Sequence, residues 1–286
     1  MNLAHQPDPS RSQMIRRGLP RWCAVAMALG LYVACYMLSI WSGTHVFAFF
    51  GLLGVIAALV VTITHAGELQ RRDYWISAAL GAVVLIAAIP GHPSAAADGV
   101  VCAVLTALPL LAGIALWRRN RLGARSRLAD GGPVTALMRS LLLGIAVAVP
   151  WVAYTVARSV YLGHTRIQLV PSLGAALVML RPGIMEEALF RFFWPNLLLA
   201  LARPGSGATG GRMWTRFVFV LFAILHGFAH PGPALLVDPW SAIPRVMAWS
   251  LFYGLPLVWL ALRRDVEAAM ACHWLLNFGP MALGVV

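Results

Sequence analysis

Arg181-Pro182-Gly183-Ile184-Met185-Glu186-Glu187-Ala188-Leu189-Phe190-Arg191-Phe192-Phe193-Trp194-Pro195-Asn196-Leu197-Leu198-Leu199-Ala200-Leu201 is the stretch whose reading decides the fold. It is greasy enough to lie in a bilayer, yet it holds two adjacent carboxylates. A charge at that depth costs roughly 3 kcal/mol or more, so it faces a partner or a water-filled cavity. The other eight acidic residues (Asp8, Glu68, Asp73, Asp98, Asp130, Asp238, Asp265 and Glu267) fall in or beside polar connections. Only Glu186 and Glu187 lie well inside an apolar run, and two side by side suggest chemistry.

Composition agrees with a membrane setting. Hydrophobic residues make up 60% of the 286-residue chain and charged residues 11%, against about 25% charged in a soluble domain. The net charge of +12 comes wholly from arginine on the basic side, since lysine is absent. Those arginines cluster between apolar runs, where they act as topology signals and anionic-lipid contacts. Nucleic acid is therefore not an expected partner. Cys23, Cys35, Cys102 and Cys272 stand singly in apolar runs and read as small buried hydrophobes.

A span needs about 20 apolar residues. Nine candidates meet this approximately: 20–41, 46–65, 74–91, 97–117, 134–160, 169–201, 213–230, 240–262 and 266–285. The fold expected is all-α, a polytopic bundle of about eight to nine spans. Arginines precede the first span (Arg11, Arg16, Arg17, Arg21). They then follow the second (Arg71, Arg72), the fourth (Arg118 to Arg127), the sixth (Arg203, Arg212, Arg216) and the eighth (Arg263, Arg264). The connections around His45, His92, His164 and Pro231 are nearly free of arginine, with Arg166 the exception. The positive-inside rule places the N-terminus in the cytoplasm of a bacterial inner-membrane protein. The run after Met1 to Arg21 is too long for a signal peptide and reads as a retained first span.

The sixth segment is too long for one straight span. Arg181-Pro182-Gly183 reads as a break, with a helix starting near Pro182 and carrying Glu186 in an early turn. The arginine-rich connection ending in Gly131-Gly132-Pro133 is the best internal boundary. It separates a four-span N-terminal extension, 1–132, from a core, 133–286, that holds the intramembrane polar chemistry.

Three pieces of that core carry polar groups at helical spacing. Glu187 and Arg191 are i,i+4, a good ion-pair orientation, which leaves Glu186 free to face something else. Phe222-x-x-x-His226 is followed by His230, and His273-x-x-x-Asn277 lies on the last helix. A lone intramembrane histidine or asparagine is ordinarily interhelical glue. Two carboxylates, two histidines and an asparagine on three helices make an acid–base set that suits hydrolysis.

These pieces resemble the three motifs of the CPBP family, the CAAX proteases and bacteriocin-processing enzymes related to the Rce1-type endopeptidase. The motifs are Glu186-Glu187-Ala188-Leu189-Phe190-Arg191, Phe222-Ala223-Ile224-Leu225-His226 and His273-Trp274-Leu275-Leu276-Asn277. The resemblance covers roughly 142–286 and implies an intramembrane endopeptidase acting on a membrane-anchored or lipid-linked protein or peptide precursor. It implies Glu186 as general base with His226 beside it, His273 and Asn277 as oxyanion donors, and Glu187 with Arg191 as a supporting pair. No cofactor is expected. The alternative is Zn2+ held by Glu186, His226 and His273, or by the His226-x-x-x-His230 pair; HExxH glutamate is missing between those histidines. His230 itself, next to Pro231, reads as a helix-end or lining residue at the membrane edge. Two other readings are a non-catalytic immunity or scaffold protein of the same fold, and a proton-coupled transporter. Transport predicts repeat symmetry between halves, whereas the charged chemistry here is confined to one half.

Overall fold

A computed structural model describes residues 19–43, 46–89, 95–163, 167–168, 173–202, 208–230, 235 and 238–284. Arg11, Arg16, Arg17, His45, His92, His164, Arg166, Arg203 and Pro231, named above as topology markers, lie outside the described residues. Among the described residues there are helices and no strands. The elements are α1 (Arg21–Ser42), α2 (Val46–Thr64), α3 (Arg71–Ala88), α4 (Ala95–Asn120), α5 (Arg127–Asp130), α6 (Val134–Gly163), α7 (Leu173–Glu187), α8 (Trp194–Leu201), α9 (Ala208–Phe228), α10 (Pro239–Arg263) and α11 (Val266–Ala282). A short 3₁₀ turn (Ala66–Glu68) precedes α3, and a π turn (Ala188–Phe193) joins α7 to α8.

Each of the nine apolar segments has its helix. Five helices are long and apolar enough to cross a bilayer: α1, α2, α4, α6 and α10. The others are shorter or carry charge. Helix α3 opens on Arg71, Arg72 and Asp73, α9 holds Arg212 and Arg216, and α11 has 17 residues. The outer faces of the long helices expose Met37, Ile63, Val101, Trp249 and Trp259, among others. A soluble monomer rarely tolerates such a belt, whereas in lipid it is the solvated surface. The chain is a multi-pass membrane protein.

The arginine-rich connections meet at one end of the bundle. Arg118, from the end of α4, pairs with Asp73 at the start of α3. Arg125 donates its Nε to the Arg264 carbonyl at 2.8 Å, and Val266 N–H donates to the Arg125 carbonyl at 3.0 Å. Leu19 N–H donates to the Leu201 carbonyl at 3.0 Å. The charge alternation of the sequence therefore corresponds to a real gathering of connections in space.

The sixth segment differs from expectation. Helix α7 runs through Pro182 without a break and ends at Glu187. Glu186 thus sits in its last turn, not near a helix N-terminus, and the partial positive charge expected there is absent. The irregularity comes six residues later than expected, as the π turn. Pro195 supplies the reason: its missing N–H cannot bond the Arg191 carbonyl, and its ring crowds that carbonyl. Widening the turn relieves the clash, and Trp194 N–H reaches back five residues to the Leu189 carbonyl. Such turns recur at functional sites.

This turn is the centre of the core. Every residue from Gly183 to Asn196 is buried. Phe190 stacks on Phe50 of α2 at 5.4 Å between centroids, and Phe50 also meets Trp194 at 4.9 Å. A Cβ on Gly113 of α4 would meet Phe192 at 2.5 Å, so glycine there lets α4 close onto the turn. Helices α2, α3 and α4 therefore pack directly on α7 and the π turn, which carries on from the carboxylates.

Candidate active site

Three helices deliver the polar residues. Helix α7 and the π turn bring Glu186, Glu187 and Arg191, α9 brings His226, and α11 brings His273; all five are buried. Close approach depends on small residues. A Cβ on Gly227 would fall 1.7 Å from Ser250 Oγ, so glycine lets α9 lie against α10 beside His226. A Cβ on Gly183 would meet the Trp274 backbone at 3.1 Å, which sets α7 against α11. Trp274 Nε1 donates to the Ala176 carbonyl at 2.9 Å and reinforces that contact.

The two carboxylates have different surroundings. Glu187 is fully buried; its Oε1 lies 3.4 Å from Arg191 Nη1 and 2.9 Å from His273 Nδ1. Glu186 keeps 10% of its side chain exposed, and its Oε2 lies 2.6 Å from His226 Nε2 and 3.7 Å from His273 Nε2. His273 thus stands between the carboxylates. His226 stacks on Phe190 at 4.5 Å between centroids, which fixes its ring plane.

Arg191 fixes the His226 tautomer. Its Nη1 lies 2.5 Å from His226 Nδ1. Guanidinium only donates, so Nδ1 accepts and, in the neutral ring, Nε2 carries the hydrogen and donates to Glu186. Arg191 thereby touches both the supporting carboxylate and the histidine of the reactive pair.

The ion pair of Glu187 and Arg191 and the separate facing of Glu186, read from the i,i+4 spacing, are both present. Asn277 lies one turn beyond His273, half-buried, and its amide is hydrogen-bonded to none of the described residues. His230 is a helix-end residue that also lines the site, as read. It is at the end of α9 and 59% of its side chain is exposed, but its Nε2 lies 3.2 Å from His226 Nε2 and 3.8 Å from Glu186 Oε2. The i,i+4 spacing from His226 is the sequence signal for that contact.

Burial of acids is also wider than expected. Asp73, Asp265 and Glu267 are buried although they sit beside connections. Glu267 accepts from Ser126 Oγ at 2.5 Å, Arg127 N–H at 2.9 Å and Leu128 N–H at 3.1 Å. Asp265 caps α11 through Ala268 N–H at 3.0 Å and accepts from Ser140 Oγ at 2.6 Å and Arg127 Nε at 3.1 Å. The boundary drawn at 132 is thus bonded tightly to the start of the helix that bears His273.

Among the described residues, the compact set of metal-type donors is Glu186, His226 and His230, whose atoms lie within 4.8 Å of one another. His230 takes the place that the zinc alternative gives to His273. A metal-bound imidazole donates its second ring N–H to an acceptor. His226 instead faces a guanidinium donor, so its hydrogen sits on Nε2, the atom a metal would need. The donor set does not fit zinc at His226.

Residues 167–279 match the family model described as type II CAAX prenyl endopeptidase, Rce1-like. The match spans all three motifs and agrees with the resemblance they carry. No curated protein and no solved structure matches the chain.

Proposed function

We propose that this protein is an intramembrane endopeptidase that hydrolyses a peptide bond in a membrane-anchored or lipid-linked protein or peptide precursor. The observation that carries the reading is the buried Glu186–His226 contact of 2.6 Å inside a segment that matches an endopeptidase family.

Glu186 is the base. Its residual exposure gives water access, whereas Glu187 is sealed and committed to Arg191 and His273. Glu186 takes a proton from water, and the hydroxide adds to the substrate carbonyl carbon. The C–N bond then breaks as the amine receives that proton back from Glu186. His226 holds Oε2 through Nε2–H and orients the carboxylate. Asn277 and His273 are assigned to hold the oxyanion, the roles that the motif resemblance implies. Donors fixed in a water-poor site act more strongly than in water. The step needs no metal, in keeping with the tautomer that Arg191 imposes. The N-terminus and the arginine-rich end face the cytoplasm of a bacterial inner membrane.

A survey of protein termini in membranes of the source cells tests this reading. Wild type is compared with Glu186→Ala at equal expression. Termini present only with wild type support the protease and name its substrate. Identical termini, with the variant properly inserted, would instead favour an immunity or scaffold role.

A further inference from the structure

At the arginine-rich end, away from the carboxylates, α2, α4 and α8 leave a pocket of about 430 Å³. That volume falls within the usual range for a ligand site, ~300–1,000 Å³. Its wall is apolar: Val61, Leu116, Leu197 and Leu201. Its rim is polar: His65, Arg119 and Asn120, and no acidic side chain lines it among the described residues.

The rim charge is available. Arg118 is spent on Asp73 and on the Glu68 and Ala129 carbonyls, and Arg121 lies over the Trp117 ring at 4.7 Å. Arg119 is exposed and makes no hydrogen bond or ion pair among the described residues. Across the mouth, His65 Nδ1 faces the Val61 carbonyl at 3.2 Å and Thr64 Oγ1 at 2.8 Å, so His65 is a polar rim residue and Arg119 is the rim's cation. The chemistry is that of an amphipathic anion: an apolar tail against the wall and a phosphate at the rim. The groove between α6 and α10, lined by Trp151, Phe252 and Trp259, has a comparable apolar wall but no charged group in its lining, so it selects no headgroup.

We propose that the α2–α4–α8 pocket binds one anionic phosphoglycerolipid, its acyl chain along Leu116, Leu197 and Leu201 and its phosphodiester at Arg119 on the rim. Basic pockets between helices on the cytoplasmic side suit such headgroups. The full-length protein in neutral detergent is titrated with dioleoyl phosphatidylglycerol, dioleoyl phosphatidylcholine or glycerol 1-phosphate, and read by native mass spectrometry and melting temperature. Phosphatidylglycerol should be retained as a single lipid and raise the melting temperature; phosphatidylcholine should do neither. Arg119→Gln should weaken retention about five-fold, the share of one arginine near a phosphate. Ala200→Trp should block the pocket, and Arg121→Gln, with the same charge change as Arg119→Gln, should leave retention unchanged. Equal retention of phosphatidylcholine, or equal loss in the Arg119 and Arg121 variants, would overturn the site. A full shift with glycerol 1-phosphate alone would make the ligand a soluble phosphate and overturn the lipid.

Discussion

Two acidic pairs lie buried in this protein, and they are built in opposite ways. Asp265 and Glu267 sit at the arginine-rich end with their oxygens filled: three donors reach each carboxylate, from backbone N–H groups, serine hydroxyls and Arg127. Glu186 and Glu187 sit at the π turn, and among the described residues no backbone N–H reaches either. Their partners are imidazoles and one guanidinium, and Glu187 Oε2 has no hydrogen-bond partner among the described residues. A carboxylate saturated by fixed donors is a structural joint. One that leans on imidazoles and keeps access to water is poised to exchange a proton.

The sharpest break in this comparison comes from removing a partner on each side. His226→Ala should lower cleavage about 10²- to 10³-fold, the range for removing one preorganised donor, with a smaller loss of melting temperature because the buried ring also stacks on Phe190; the terminus assay and a thermal melt read both. Arg191→Ala should lose stability as well as activity, because it leaves Glu187 buried without its cation, a change worth about 3–5 kcal/mol for a buried pair. A normal melting temperature would count against Arg191 as a support.

The joint should behave in the opposite sense. Glu267→Ala strips the acceptor from three donors, so a loss of about 1–3 kcal/mol is expected for the orphaned groups, with activity per folded molecule retained. A variant as stable as wild type but inactive would erase the distinction between the pairs. The smallest effect belongs to His230. His230→Ala should change the rate only a few-fold, and a chelator should change it no more. Loss of activity in both, restored by zinc, would replace the metal-free reading.

The spans were legible because nine apolar runs separated by arginine leave little freedom for the chain in lipid. The roles of Glu187 and Arg191 were legible because i,i+4 neighbours meet on any helical turn. The path of α7 was not. Pro182 looked like the breaking residue, yet it was Pro195, opposing the Arg191 carbonyl, that widened the helix. The joint was also hidden, since Ser126 and Glu267 are separated by 141 residues and no local pattern couples them. His230 was legible as a helix-end residue from Pro231, and its register one turn after His226 puts it beside that ring.

The most direct measurement is cleavage by purified Glu186→Gln in liposomes, against wild type, on a substrate carrying a terminus found in the membrane survey. The variant keeps the size and packing of Glu186 and removes the base. An unchanged melting temperature with cleavage reduced about 10²-fold or more is the predicted result. Wild-type cleavage by a folded Glu186→Gln protein would contradict the assignment of Glu186 as the base.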